Sequence, residues 1–176
     1  MIRSAAFAAV GLGGGATAAW TARYQWRQHT AQCSAATPAT KAELQYISPE
    51  TLAAWLRDGG GGGGHPVRVV DVREGDFKRT GTKIRGAVNV PAYQIRADGG
   101  RGLVEMLRCE PIVVFHCMYS QQRGPSSALI YLRAAAAAGA EQQRQEVYVL
   151  RGGFDGFFRQ YAADCPELFE PARRRE

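Results

Sequence analysis

The sequence has few cysteines and no closely spaced cysteine pair, and this limits the chemistry that it can support. Its four cysteines include no Cys-x-x-Cys pair, and none is grouped with histidines at the spacing of a zinc site. A disulfide framework and a structural metal site are therefore not indicated. The number and spacing of the cysteines fit better with a protein of a reducing compartment that has one functional thiol.

Acidic residues are absent before Glu43, although four basic residues occur in that part of the chain. From Glu43 onward, 18 basic and 16 acidic residues leave a net charge of only +2, compared with +6 for all 176 residues. The basic character therefore belongs mainly to the N-terminus. No basic stripe interleaved with aromatic residues indicates a nucleic-acid-binding face, and we expect no nucleic-acid partner.

Residues 1–42 are rich in Ala, Gly, Ser and Thr, a composition typical of an organellar transit peptide. A membrane anchor is one alternative, but the uncharged stretch Ala5–Trp20 has only 16 residues, interrupted by glycines, and is short for a spanning helix. A disordered tail is the other alternative. We divide the chain into this extension, a folded domain over residues 43–172 and a basic tail over residues 173–176. A transit peptide implies a mitochondrial or other organellar location, and its absence implies the cytoplasm or nucleus.

Strand-like and helix-like segments alternate along the proposed domain. Short apolar runs predict strands over residues 45–47, 67–72, 87–90, 112–115 and 147–150. Helices are predicted at Pro49–Arg57 with Ser48 as N-cap, at Ser126–Ala138 and at Phe154–Tyr161. The run Gly59–Gly64 is interpreted as a flexible connection. This alternation predicts an α/β domain with a mainly parallel central sheet of about five strands and helices on both faces.

A cysteine and an arginine separated by five residues follow the strand predicted over residues 112–115. The loop begins at Cys117, ends at Arg123 and is closed by Gly124-Pro125 before a helix. Its intervening residues are Met118, Tyr119, Ser120, Gln121 and Gln122. Ligands of parallel α/β folds bind beyond the carboxyl ends of the strands, which is where this loop lies.

The loop has the composition of an anion-binding site. Successive backbone N–H groups of a tight loop can turn inward around a tetrahedral anion, and the N-terminus of a helix adds partial positive charge. Arg123 can bind two anion oxygens through its planar guanidinium. The same field favours the thiolate of Cys117, which is the reactive form of cysteine. This arrangement predicts covalent catalysis on a phosphoryl-like or sulfur-bearing centre, with Ser120 as a candidate hydrogen-bond donor to the thiolate.

The motif His116-Cys117-x5-Arg123-Gly124-Pro125 resembles the active-site loop of a known family of rhodanese fold. The similar members are the dual-specificity phosphatases that activate cyclin-dependent kinases and the related eukaryotic arsenate reductases. The resemblance extends to three further segments: Val70–Arg73, Ile84–Pro91 and Val147–Phe154. It covers residues 46–169 and implies a rhodanese-like fold, with Cys117 as nucleophile and Arg123 as oxyanion-binding residue.

Loop length distinguishes members of this family. Sulfurtransferase rhodaneses usually have four residues between cysteine and arginine, which makes a tight loop suited to a persulfide. Five residues make a wider cradle for phosphate or arsenate. This sequence has five, Met118 to Gln122, so the resemblance implies oxyanion chemistry.

The sequence also departs from the cell-cycle phosphatases. Met118 and Gln122 stand where those enzymes carry glutamates, so the loop offers no carboxylate as a general acid. Val72 stands where they often have a second cysteine that can trap the nucleophile as a disulfide. Cys109 and Cys165 are candidate resolving thiols, although an inert role is favoured for each. The C-terminal helix with which the large phosphatases dock protein substrates has no counterpart after residue 171.

Residues around the loop are expected to support it. Asp71 and Arg73 are predicted to form a hydrogen-bond or ion-pair network beneath the loop, and His116 to orient the loop from below. We expect Tyr119 at the mouth of the pocket. The other aromatic residues singled out are expected in the core: Trp55, Phe154, Phe157 and Phe158.

These features predict a thiol-dependent enzyme that acts on a tetrahedral oxyanion as a protein tyrosine or dual-specificity phosphatase, an arsenate reductase, or both. The phosphatase reaction needs no cofactor, whereas an arsenate reductase draws electrons from glutathione or glutaredoxin. The expected partners are thus a phosphorylated substrate or small oxyanion, with glutathione or glutaredoxin for the reductase. A membrane is a partner only if residues 1–42 form an anchor. The alternatives are a thiosulfate-type sulfurtransferase with a persulfide on Cys117, and a non-catalytic rhodanese-like binding module.

Overall fold

The computed structural model describes residues 40–61, 63–139 and 145–172. The strands in this part of the chain are β1 (Gln45–Ile47), β2 (Val67–Asp71), β3 (Thr82–Ile84), β4 (Val88–Asn89), β5 (Ile112–His116), β6 (Glu146–Leu150) and β7 (Phe169–Pro171). The α-helices are α1 (Pro49–Arg57), α2 (Gly75–Thr80), α3 (Ala92–Ala97), α4 (Arg101–Leu107), α5 (Arg123–Ala137) and α6 (Gly153–Tyr161). Two short 3₁₀ helices lie at Lys41–Glu43 and Pro166–Leu168.

A five-stranded parallel sheet with the order β1-β6-β5-β2-β4 forms the centre of the fold. β5 is the middle strand, and all five of its residues are buried because helices cover both faces of the sheet. β3 and β7 form a separate antiparallel pair. The predicted α/β class, with about five mainly parallel strands and helices on both faces, is confirmed.

The side chains of β5 divide between two hydrophobic clusters, as the two-residue repeat of a strand requires. Val113 and Phe115 belong to the cluster that α3, α4 and α5 cover, and Ile112 and Val114 belong to the cluster that α1 and α6 cover. The ring of Phe115 packs against Tyr131 of α5 at 5.5 Å between centroids. The carboxyl end of β5 is therefore held from both faces of the sheet.

α1 and β1 have the predicted bounds, the other predicted strands and α6 differ from them by one residue at one or both ends, and α5 starts earlier than predicted. α1 covers Pro49–Arg57 as predicted, and the Ser48 hydroxyl accepts a hydrogen bond from the Thr51 N–H at 3.2 Å. α5 begins at Arg123, three residues before the predicted start. Proline is tolerated in the first turn of a helix, where its missing N–H has no partner to lose, so the turn can include Pro125.

Two further expectations are wrong. Phe158 is 40% exposed and stacks on Phe154 instead of lying within the core. Gly60 and Gly61 are buried, and Gly61 forms an isolated bridge with His65, so these two glycines belong to a packed turn. A Cβ on Gly61 would overlap Cδ1 of Ile112, so a larger residue here would require the end of that side chain to shift.

The predicted extension and tail lie mostly outside the described residues. Thr40 is the first residue described and Ala172 the last, so the division at residues 42 and 172 stays a prediction. Within the described part of the chain, no helix has both the length and the apolar character that crossing a membrane requires.

Candidate active site

The loop between β5 and α5 lies at the carboxyl edge of the sheet, beyond its middle strand. Cys117 follows β5 directly and is only 4% exposed, and Arg123 is the first residue of α5. The loop therefore connects the most buried strand of the sheet to the N-terminus of the longest described helix, whose positive end faces the loop.

The thiol of Cys117 receives a backbone hydrogen bond from within the loop. The Ser120 N–H donates to Cys117 Sγ at 3.2 Å. Among the described residues, Ser120 is the one non-glycine residue with a positive φ, at 52°. This conformation is strained for a side-chain-bearing residue, and such strain is concentrated at functional sites. It turns the chain back so that the N–H can reach the sulfur.

The hydroxyl of Ser120 lies against the base of α5. Its Oγ is buried and has no hydrogen-bond partner among the described residues. A Cβ on Gly124 would stand 3.2 Å from this oxygen and 3.4 Å from the Cys117 nitrogen, so Gly124 lets the helix pack closely against the loop.

Arg123 is paired with a carboxylate that the sequence did not indicate. Its Nη1 and Nη2 donate to the two oxygens of Asp76 at 2.8 and 2.5 Å. Asp76 lies in α2 and its side chain is mostly buried. The hydrogen bonds from Arg123 lower the pKa of Asp76 to about 2 against the opposing effect of burial, and the same pair raises the pKa of Arg123.

This pairing has two chemical consequences. Arg123 is held in a fixed orientation, because a bidentate pair fixes the plane of the guanidinium. Asp76 is ionised at neutral pH and therefore holds no proton that it could give to a leaving group. No sequence pattern connects Asp76 with Arg123, since the two residues are 47 positions apart.

Asp71 and Arg73 form a buried ion pair at the end of β2, near the loop. The sequence predicted a hydrogen-bond or ion-pair network of these two residues. Arg73 is fully buried, and its Nε and Nη2 donate to Asp71 Oδ2 at 2.9 and 2.6 Å. The guanidinium also donates to the Thr82 carbonyl at 3.0 Å and lies 3.8 Å above the ring of Phe154. This pair therefore joins the end of β2 to β3 and α6.

His116 is fully buried beside the same pair. Burial lowers its pKa, although the neighbouring Asp71 carboxylate acts in the opposite direction. The neutral imidazole is placed to donate from Nδ1 to the Cys117 carbonyl, at 3.2 Å. Its Nε2 is 3.8 Å from Asp71 Oδ2 and has no hydrogen-bond partner in the described part of the chain.

The remaining loop residues differ in exposure. Tyr119 is 54% exposed, and Gln121 and Gln122 are also exposed. Met118 is partly buried and packs against the cluster that α1 and α6 cover. The carbonyl of Cys117 accepts from the Phe154 N–H at the start of α6, at 2.9 Å.

The other described cysteines, Cys109 and Cys165, are free thiols outside the loop segment. Cys109 is exposed and follows α4. Cys165 follows α6, and its sulfur accepts a hydrogen bond from Arg57 Nη2 at 2.8 Å. Nothing in these contacts joins either thiol to Cys117, so a resolving role for them stays a prediction.

Comparison with known proteins relates the chain to phosphatases and to a reductase. Residues 48–160 match the sequence profile of the Rhodanese-like domain. The chain is similar to the dual specificity phosphatase ibp1 of Schizosaccharomyces pombe, with 30% identity over 67% of this chain and 91% of that protein. It is 32% identical to the CDC25-like phosphatase YCH1 of Saccharomyces cerevisiae, over 69% of this chain and 86% of that protein. The solved As-Sb reductase of Leishmania major matches with a TM-score of 0.60 and 28% identity, over 72% of this chain and 85% of that one.

The pair between Asp76 and Arg123 gives a pH-dependent prediction. Asp76 has a folded-state pKa of about 2, below the ordinary value of 3.8 for an aspartate side chain. It therefore contributes stability that is present above pH 4 and is lost as the pH falls toward 2. Asp76→Asn should lower the free energy of unfolding by about 1–2 kcal/mol at pH 7, a figure reduced for the partial exposure of Arg123. Urea denaturation across this pH range checks the prediction.

The matched control for Asp76→Asn is Glu105→Gln, which removes one partner of the exposed pair between Glu105 and Arg108. Exposed pairs contribute little, so this variant should follow the wild-type stability at every pH. The prediction is contradicted if Asp76→Asn and Glu105→Gln have the same stability at pH 7, or if the loss in Asp76→Asn persists unchanged at pH 2.

Proposed function

This chain belongs to the rhodanese-like family, and on that premise we propose that it is a cysteine-dependent phosphatase or arsenate reductase with Cys117 as nucleophile. The observation that carries the proposal is the loop of five residues between Cys117 and Arg123. It has a backbone N–H on the thiol sulfur and a paired guanidinium at its far end. A nucleophile beneath an oriented oxyanion-binding group is the arrangement that attack on a tetrahedral centre requires.

The similar proteins support oxyanion chemistry at this site. Two relatives are named as phosphatases, and a solved structure with 28% identity is named as an As-Sb reductase. The five-residue loop is also the length that the resemblance associates with phosphate or arsenate. We propose that Met118 to Gln122 supply backbone amides to the bound anion, and that Asp71, Arg73 and His116 support the loop from beneath.

Both proposed reactions begin with the same step. The Cys117 thiolate attacks phosphorus or arsenic while Arg123 binds two of the equatorial oxygens, and the bond to the leaving oxygen breaks. In a phosphatase, water then hydrolyses the cysteinyl phosphate. In an arsenate reductase, a second thiol attacks the sulfur of the cysteinyl arsenate, so that a disulfide forms and arsenic takes up two electrons.

The ionised Asp76 restricts the substrate. A carboxylate with a pKa of about 2 cannot protonate a leaving group at neutral pH. For the phosphatase reaction we therefore propose substrates whose leaving group departs readily without this help, such as an aryl phosphate. No metal or cofactor enters the phosphatase reaction. Glutathione or glutaredoxin is the proposed electron donor for the reductase.

Replacing the two central residues tests the proposal. Cys117→Ser should lower the turnover of an aryl phosphate and of arsenate by about a thousandfold or more, because the hydroxyl is a far weaker nucleophile. Arg123→Lys keeps the positive charge but cannot form a bidentate hydrogen bond to the oxyanion, and it should raise KM by about ten- to a hundredfold. Steady-state kinetics with both substrates on the same preparation measures these effects.

The control for these variants is Cys109→Ser, since Cys109 is an exposed thiol outside the loop. It should retain the phosphatase activity of the wild type. Undiminished turnover in Cys117→Ser would rule out Cys117 as the nucleophile. A wild-type Cys117 that iodoacetamide fails to label at neutral pH would instead favour the non-catalytic binding module.

A sulfurtransferase is the second candidate function. The matching profile describes the rhodanese-like domain as a whole and does not separate sulfurtransferases from phosphatases. The two candidates differ in what thiosulfate leaves on the protein. Because the five-residue loop is the wider one, we expect the protein to turn over aryl phosphate faster than thiosulfate. We also expect the intact mass of the protein to stay unchanged after incubation with thiosulfate. A gain of one sulfur atom that is absent from Cys117→Ser would establish the persulfide and the sulfurtransferase instead.

A further inference from the structure

Two backbone hydrogen bonds join the first turn of α6 to the active-site loop. The Phe154 N–H donates to the Cys117 carbonyl, and the Asp155 N–H donates to the Met118 carbonyl, both at 2.9 Å. Two consecutive carbonyl groups of the loop therefore face the first turn of α6. The N–H groups at the start of a helix have no partner within the helix, so they are free for this purpose.

The direction of these carbonyls sets the direction of the loop amides. In a trans peptide the C=O and the following N–H point in opposite directions. The N–H groups of Met118 and Tyr119 must therefore point away from α6. The next N–H, that of Ser120, reaches Cys117 Sγ at 3.2 Å. We infer that three consecutive N–H groups converge on the thiol and on an anion bound above it, as in other anion-binding nests.

Gly153 is the glycine of this turn at which a side chain would meet the active-site loop. Its φ is +61°, a conformation that glycine adopts without cost. A Cβ there would stand 2.6 Å from both the Cys117 and the Met118 carbonyl oxygens. These are backbone atoms, and they cannot rotate away as the end of a flexible side chain can. Any side chain at this position therefore pushes the loop away from α6.

We propose that Gly153 is a positioning residue for the anion-binding loop: because it has no side chain, α6 can hold two loop carbonyls and thereby turn the Met118 and Tyr119 amides toward the bound oxyanion. Gly153 itself does not touch the anion. This inference rests on the proposed oxyanion chemistry of Cys117, and adds that oxyanion affinity depends on the contact between α6 and the loop.

Two neighbouring glycines, Gly152 and Gly156, provide matched control variants for Gly153→Ala. Gly152 also has a positive φ, at 70°, but a Cβ on it would lie 3.4 Å from Gly156 and would not approach the loop. Gly152→Ala therefore reproduces the backbone strain of Gly153→Ala without displacing the loop carbonyls. Gly156→Ala lies within α6, where the nearest atom to a new Cβ is the Arg151 carbonyl oxygen at 3.8 Å, an ordinary contact. This variant tests the effect of an added methyl group on the same helix.

The experiment measures how inorganic phosphate protects Cys117 from alkylation by iodoacetamide in full-length protein whose other three cysteines are replaced, by Cys33→Ser, Cys109→Ser and Cys165→Ser. The protection curve gives the Kd for phosphate independently of turnover, and the Tm of each variant is measured in parallel. Gly153→Ala should raise this Kd by about tenfold or more, because at least one charge-assisted hydrogen bond to the anion is lost. Gly152→Ala should lower the Tm to a similar extent but leave the Kd within about twofold of the wild type. Gly156→Ala should change neither.

A second pair of variants keeps the test decisive if Gly153→Ala does not fold. Asp155→Pro removes the N–H that binds the Met118 carbonyl, at a position in the first turn of α6 where proline is tolerated. Asp155→Ala changes the same side chain and keeps the N–H. The Kd for phosphate should rise in Asp155→Pro and stay unchanged in Asp155→Ala.

The possible outcomes separate this inference from the proposed function. An equal Kd for phosphate in Gly152→Ala and Gly153→Ala, or in Asp155→Pro and Asp155→Ala, overturns the positioning role while the proposed oxyanion chemistry stands. If phosphate does not protect Cys117 even with wild-type Gly153 and Asp155, the proposed oxyanion chemistry is overturned, and the positioning role with it.

Discussion

The buried ion pair between Asp71 and Arg73 is the contact on which the arrangement of the site depends. It joins the end of β2 to α6, because the guanidinium lies 3.8 Å above the ring of Phe154, whose own N–H holds the Cys117 carbonyl. Asn89 adds hydrogen bonds to the carbonyls of both members of the pair. Removing one member of such a pair leaves an uncompensated buried charge, so the two residues act as a unit.

The loop above this pair is held from several directions, and each contact has a different chemical effect. His116 donates to the Cys117 carbonyl from below, and the first turn of α6 binds two loop carbonyls from the side. Asp76 orients Arg123 and keeps its own charge. Preorganised donors of this kind need no rearrangement when a charged ligand arrives.

Much of the fold could be predicted because its signals are local. The strands of the sheet appear as short apolar runs, and the start of α1 appears as a serine cap followed by proline. α2, α3 and α4 were not predicted, since helices of six or seven residues are too short to show a clear apolar repeat. The exposure of Phe158 was also missed, because a short aromatic helix does not reveal which of its faces meets solvent.

The sequence by itself determined the spacing between Cys117 and Arg123 and the position of this loop between an apolar strand and a helix. Those features depend on neighbouring residues and on backbone geometry within one segment. Only the tertiary structure decided that Asp76 pairs with Arg123 and that Gly153 lies against the Cys117 and Met118 carbonyls. These contacts join distant segments that the packing of α2 and α6 around the sheet brings together, and no periodic or spacing pattern encodes that packing.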